Sequence, residues 1–230
     1  MRSKRIIVSG CSRGIGLELI KHLSSLGHEV LALSRNTEGM ETLGYTHANL
    51  HPLQVEITES EGLDAVVKFV SDNWEKVDIL IHNAGTLMHK PFRETSPEDF
   101  LKVYRVNVFA AAELTRRLES YLISGSHVVA ISSMGGIQGS VKFAGLSAYS
   151  SSKGALLILM ELLAEEYKDK GISFNTLALG AVQTEMLQEA FPGYQAPVTA
   201  AEMAAYIADF SLHGNRLYNG KALQVSNSTP

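Results

Sequence analysis

This chain has little of what marks secreted, fibrous or membrane-spanning proteins. Among its 230 residues there is a single cysteine, Cys11, so no internal disulfide can form and a disulfide-stapled scaffold is excluded. Apolar runs are short, and none approaches the roughly 18 to 20 residues needed to span a bilayer as a helix. Met1-Arg2-Ser3-Lys4-Arg5 has the charge of a signal peptide, but only Ile6-Ile7-Val8 follows before Ser9-Gly10, which predicts a strand and not an export signal. Charge of one sign is also scarce. The net charge is −4 with 19% charged residues and no like-charge block, so nothing general drives the chain toward nucleic acid or an anionic membrane. Six prolines are scattered, with no linker-like tract and no internal repeat, and one domain over residues 1–230 is expected. A cytoplasmic protein with a small-molecule partner is the expectation.

What is present is apolar patterning: 45% of residues are hydrophobic. Short β-branched runs alternate with longer stretches of helical period, the pattern of parallel strands joined by crossover helices. Strands are predicted at Arg5–Ser9, Glu29–Ser34, Pro52–Ile57, Asp78–His82, His127–Ser132, Ser173–Ala178 and Ala222–Val225. The expected fold is therefore α/β: a Rossmann-type, doubly wound, seven-stranded parallel sheet in a three-layer α/β/α sandwich. Ile15, Leu19, Leu23 and Leu26 form one helical stripe and Leu156, Met160, Leu163 and Tyr167 another, and both helices are expected to pack on the sheet. Residues 185–198, with Met186, Leu187, Phe191 and Tyr194, read as an irregular apolar excursion of the kind that serves as a lid.

The first predicted strand runs through Ser9-Gly10-Cys11-Ser12-Arg13-Gly14-Ile15-Gly16 into a helix. Gly10 permits a tight turn, while Gly14 and Gly16 let backbone approach a phosphate facing the unpaired N–H groups of the helix N-terminus. A plain strand-to-helix turn is the alternative. The second strand ends Leu33-Ser34-Arg35-Asn36, without the acid that would hold a ribose 2′-OH. Arg35 and Arg13 instead suit a 2′-phosphate, which points to NADP(H) over NAD(H).

Tyr149 and Lys153 stand four residues apart in a segment of helical period, one turn from each other on the same face. A unit charge at about 4 Å, with an effective dielectric near 20, is worth on the order of 4 kcal/mol, enough to lower a phenol by about three pK units. Tyr149 is thus expected to exchange protons near neutral pH, as a carbonyl gaining hydride requires. Ser132-Ser133 ends the fifth strand, on the edge where α/β sheets bind ligands. Asn107 interrupts a stripe of Phe100, Tyr104, Ala111, Leu114 and Leu118, so a polar amide faces the interior, either as a structural tie or as part of a site.

Together these motifs resemble the short-chain dehydrogenase/reductase family from Arg5 to Val225. Ser9–Gly16 is similar to its TGxxxGIG motif, and His82-Asn83-Ala84-Gly85 to its NNAG. The resemblance implies a catalytic tetrad of Asn107, Ser133, Tyr149 and Lys153. Ser133 would polarise the carbonyl, Tyr149 transfer the proton, Lys153 bond the nicotinamide ribose, and Asn107 hold a water of a proton relay. It further implies cofactor contacts from Gly10, Ser12, Arg13, Gly14, Ile15, Gly16, Arg35, Glu56, Ile57, Asn83, Ala84, Gly85, Gly180, Val182 and Thr184, besides Tyr149 and Lys153, and a homodimer or homotetramer. Three departures stand out. Leu179-Gly180 replaces Pro-Gly, Ser133 lies 16 residues before Tyr149, further than usual, leaving Ser132 as an alternative hydroxyl, and the tail lacks Asp-Gly-Gly.

The function expected is NADP(H)-dependent exchange of hydride with a small carbonyl or alcohol; the alternative is a catalytically silent cofactor sensor on the same fold. A sugar-nucleotide epimerase is disfavoured by the glycine spacing. No metal is expected, since His47 and His51 have pair spacing but no third ligand. Cys11, in the phosphate turn, reads as a small side chain, with an acidified thiol as the alternative.

Overall fold

A computed structural model of the chain describes residues 2–44 and 47–226; the tail residues Asn227–Pro230 lie outside the described residues. Seven strands form one parallel sheet: β1 (Arg5–Ser9), β2 (Glu29–Ser34), β3 (Leu50–Gln54), β4 (Val77–His82), β5 (Leu122–Ser133), β6 (Ser173–Leu179) and a last strand over Lys221–Val225. A two-stranded parallel pair, β7 (Val182–Gln183) with β8 (Val198–Thr199), precedes that last strand, which is therefore β9. The main sheet has the order β3-β2-β1-β4-β5-β6-β9. The chain winds outward from β1 to β3, then returns to place β4 on the other side of β1. That reversal opens the crevice at the carboxyl ends of the strands.

Alternation along the central strands divides the core in two. Ile6 and Val8 of β1, Ile79 and Ile81 of β4, and Val129 and Ile131 of β5 face one layer, while Ile7, Leu80, Val128 and Ala130 face the other. The first face is covered by α1 (Gly14–Ser25), α2 (Glu38–Gly44) and a helix over Ala200–His213. The second is covered by α3 (Ser60–Asn73), α5 (Ala110–Leu118) and α6 (Ser147–Glu166). Burial on both faces explains why these strands read as continuous apolar runs. Two short helices remain, α4 (Pro97–Tyr104) and α7 (Glu185–Ala190), so the Ala200–His213 helix is α8. Capping boxes start α4 (Ser96 with Asp99) and α8 (Thr199 with Glu202).

The fold class is as expected, with local corrections. β3 begins and ends earlier than Pro52–Ile57, because its ladder with β2 runs from Val30–Leu50 to Ser34–Gln54 and stops where β2 stops. Pro52 is tolerated since β3 is an edge strand. β5 is longer than predicted, because a register shift lets Leu122 pair with Val77. β6 extends one residue to Leu179, where a leucine keeps the N–H that a proline would lack. The stripe through Asn107 is not one continuous α-helix: a π-helical turn over Arg105–Phe109 joins α4 to α5. Leu26 caps α1 and is 51% exposed, so it leaves the core stripe. The 185–198 excursion is partly regular, since it contains α7 and its ends are clasped by the β7–β8 pair. Among the described residues no helix is long and apolar enough to cross a membrane.

Candidate active site

The carboxyl ends of β1, β4, β5 and β6 bring most of the expected residues to one edge. After β1 the chain turns through Gly10 (φ +76°) and Gly14 (φ +56°), a left-handed backbone that suits glycine. Gly16 is needed for proximity: a Cβ there would lie 2.1 Å from Gly10 O and 2.5 Å from Asn83 Nδ2. Asn83 ties this turn to β4, its Nδ2 donating to Ser9 O (3.1 Å) and Gly10 O (2.9 Å), and Ala84 N donates to Ser9 Oγ at 3.1 Å. No side chain caps the N-terminus of α1, and its first turn contains no acid. Ile15 packs against the core while Ser12 and Arg13 are exposed. A turn that hinges on Gly10 and Gly14 against an uncapped helix start fits a dinucleotide phosphate. Cys11 is not reactive here: it is fully buried, its Sγ donates to Val8 O, and burial pushes the thiol well above its usual range.

Tyr149 and Lys153 sit one turn apart on α6, with Nζ 5.9 Å from the phenol ring centroid. Ser133, the last residue of β5, accepts from Gly135 N at 3.1 Å and lies beside Tyr149, close enough to favour its ionised form. The neighbouring Ser132 is turned away, donating to Lys153 O at 2.9 Å, so Ser133 is the hydroxyl that meets the tyrosine. The longer connection to α6 is absorbed by a 3₁₀ turn over Met134–Gly136 and by Gly139 and Gly145 with positive φ.

One expectation is corrected. Lys153 is expected from the spacing to pull the Tyr149 pKa down, yet burial raises it, and only the neighbouring Ser133 hydroxyl acts in opposition. Burial also brings Lys153 down to about 8. Desolvation disfavours both charges, and the ammonium is engaged with Ile131 O at 2.8 Å instead of the phenol oxygen.

Asn107, 1% exposed in the π-helical turn, has its amide fully occupied. Its Nδ2 donates to Thr86 O (3.0 Å) and Ser152 Oγ (2.9 Å), and its Oδ1 accepts from Thr86 N (2.8 Å). Ser152 Oγ in turn donates to Tyr149 O at 2.7 Å. Sequence reasoning missed Ser152, a fully buried serine three residues after Tyr149. Gly85 completes this cluster: a Cβ there would stand 3.3 Å from Lys153 Nζ and 3.6 Å from Asn107 Oδ1.

The two arginines each face a carboxylate, Arg13 closely and Arg35 loosely. Arg13 makes a two-point pair with Glu189 of α7, at 2.5 and 3.1 Å, and Arg35 lies 3.8 Å from Glu56. Glu56 Oε1 also accepts from Thr58, and its backbone oxygen abuts Gly62 at the start of α3; Ile57 packs against the second core layer. After β6, Gly180 N donates to Val225 O, Val182 is buried in β7, and Thr184 caps α7 by accepting from Leu187 N. Thr184 also borders Gly14, its Cγ2 lying 3.4 Å from where a Cβ would be. Phe191 leans on His89 (5.2 Å) and Phe143 (6.2 Å), which anchors the excursion over this edge. His51 pairs with Glu29 at 2.8 Å and packs on Phe69, and no cluster of three metal-ligating side chains occurs among the described residues.

Residues 4–195 match the sequence model of the short chain dehydrogenase family. The chain belongs to that family of oxidoreductases. Gluconate 5-dehydrogenase of Gluconobacter oxydans is 30% identical over 190 residues, covering 80% of this chain and 73% of the relative. Among solved structures, a short chain dehydrogenase from Burkholderia cenocepacia in complex with NADP superposes with a TM-score of 0.87 at 24% identity, covering 98% and 97% of the two chains. A 3-ketoacyl-(acyl-carrier-protein) reductase from Brucella melitensis complexed with NADH gives 0.84 at 23% identity, covering 96% of each.

Proposed function

We propose that this chain is an NADP(H)-dependent oxidoreductase that moves hydride between the nicotinamide and a small carbonyl or alcohol, with Tyr149 as general acid and base. The observation that carries this is the meeting of Ser133, at the end of β5, with Tyr149 and, one turn on, the buried Lys153. Bound nicotinamide supplies or accepts the hydride. The chain's own residues handle the proton. In reduction the oxygen gains negative charge, and a phenol kept neutral by burial is the form that donates to it. Ser133 supplies a second hydroxyl for the same oxygen. Lys153, still largely cationic below about pH 8 and tied to Ile131 O, would bond the nicotinamide ribose beside the tyrosine. Asn107 and Ser152 act through position, fixing Thr86 and the first turn of α6.

The like folds include one complexed with NADP and one with NADH, so fold does not choose the cofactor. Preference for NADP(H) rests on Arg13 and Arg35 and on the missing acid after β2. Glu56, Ile57 and the Asn83–Gly85 loop would border the adenosine half; Gly180, Val182 and Thr184 the nicotinamide. Met186, Leu187, Phe191 and Tyr194 favour a modest apolar or aromatic substrate under a lid at 185–198. A cytoplasmic home fits the single cysteine and the modest acidic charge.

A homodimer or homotetramer is part of this reading. Ile158 (56% exposed) and Leu162 (62%) form one outward row on α6, with Leu101 and Phe109 exposed on the adjoining helices. Sedimentation of Leu162→Glu checks it: a lighter particle than the parent is expected, and two equally monomeric proteins would sink the idea. For the activity, Tyr149→Phe should retain cofactor affinity by calorimetry and lose turnover by roughly two to four orders of magnitude on a carbonyl that the parent reduces. Full turnover would remove Tyr149 from its role.

A further inference from the structure

The excursion after β6 lays two carboxylates on the nucleotide cradle. Glu185 and Glu189 stand four residues apart on α7 and so share a face. Glu189 closes both oxygens on Arg13, at 2.5 and 3.1 Å. Glu185 Oε2 would lie 3.4 Å from a Cβ on Gly14, so its carboxylate stands at the first residue of α1, where no side chain caps the helix. The cation and the helix start that suit phosphates therefore both face acids from α7.

We infer that Glu189 is a specificity-determining residue, competing with the cofactor 2′-phosphate for Arg13. This rests on the NADP(H) reading above and adds a third residue to it. A phosphate monoester carries about −1.5 to −2 charge at neutral pH, against −1 for a carboxylate, so it displaces Glu189 from the guanidinium. The displacement costs affinity, and NADP(H) binds more weakly than it would to an unpartnered Arg13. NADH has a hydroxyl at that place, cannot displace a carboxylate, and gains nothing when the carboxylate is removed. Arg13 and Glu189 are both substantially exposed, at 49% and 60%, so solvent screens their pair and the effect is a few-fold change, not orders of magnitude.

Calorimetric titration of NADPH and NADH into the parent, Glu189→Gln, Arg13→Ala and the double variant tests this at low ionic strength. Glu189→Gln should tighten NADPH about three-fold and leave NADH unchanged. Arg13→Ala should weaken NADPH selectively, and adding Glu189→Gln to it should then do nothing, which assigns the effect to the pair. If Arg13→Ala still weakens NADPH selectively while Glu189→Gln leaves it unaltered, or tightens both cofactors equally, the inference is overturned and the cofactor reading stands. If Arg13→Ala does not separate the two cofactors, Arg13 has no part in 2′-phosphate binding, the inference falls, and the cofactor reading rests on Arg35 alone.

Discussion

Asn107 holds both polar groups of the Thr86 backbone, donating to its carbonyl at 3.0 Å and accepting from its N–H at 2.8 Å. The remaining amide proton goes to Ser152 on α6, so one side chain joins the loop after β4 to the helix that carries Tyr149 and Lys153. The π-helical turn makes this possible by rotating residue 107 inward between two α-helical segments. Asn107→Ala should leave Thr86 N–H, Thr86 C=O and Ser152 Oγ short of partners in a buried place, at about 2–4 kcal/mol in all. Urea unfolding of the variant measures it; a loss under about 0.5 kcal/mol would mean that water replaces the amide at no cost.

The pH dependence of reduction follows from two shifts in opposite directions. Burial raises Tyr149, so the phenol keeps its proton throughout the neutral range, and lowers Lys153 to about 8, so the ammonium is lost first as pH rises. The rate of carbonyl reduction, kcat/KM, should be level below about pH 8 and fall above it. Lys153→Arg, slower overall, should move that fall upward because a guanidinium keeps its charge. A rate that climbs from pH 8 to 9 in the parent would contradict this order of titration.

Much of this arrangement is legible in the sequence because it is local. The glycine turn, the Tyr149–Lys153 spacing and the alternation of apolar runs each depend on neighbours within one element, and the strand order follows from crossover connections. The partners that decide electrostatics are remote. Nothing near Arg13 announces Glu189, 176 positions away, as its counter-ion. The sign of the Tyr149 shift likewise depends on desolvation by elements from across the chain, which spacing alone does not report. Ser152 was hidden for a related reason: its neighbours Ser150 and Ser151 are the same residue type, and only packing shows which of them is buried.

Stability should fall in mild acid, through two histidines in the sheet. His82 bonds Thr115 Oγ1 at 2.8 Å, and His127 lies between Ser211 O and Asn175. Burial lowers each from 6.5 to about 4. Both imidazoles are thus neutral in the folded chain between these limits, while the unfolded chain takes up protons as pH drops through 6.5. The stabilisation is complete above 6.5 and is lost toward pH 4, with a limiting slope of about 1.4 kcal/mol per pH unit for each ring. His28, lowered by burial and by Lys4, acts in the same direction. Urea unfolding at pH 7, 6 and 5 measures the slope, and His82→Asn should reduce it by about one proton equivalent. An identical slope in that variant would show that His82 is protonated in the folded chain, against the burial described here.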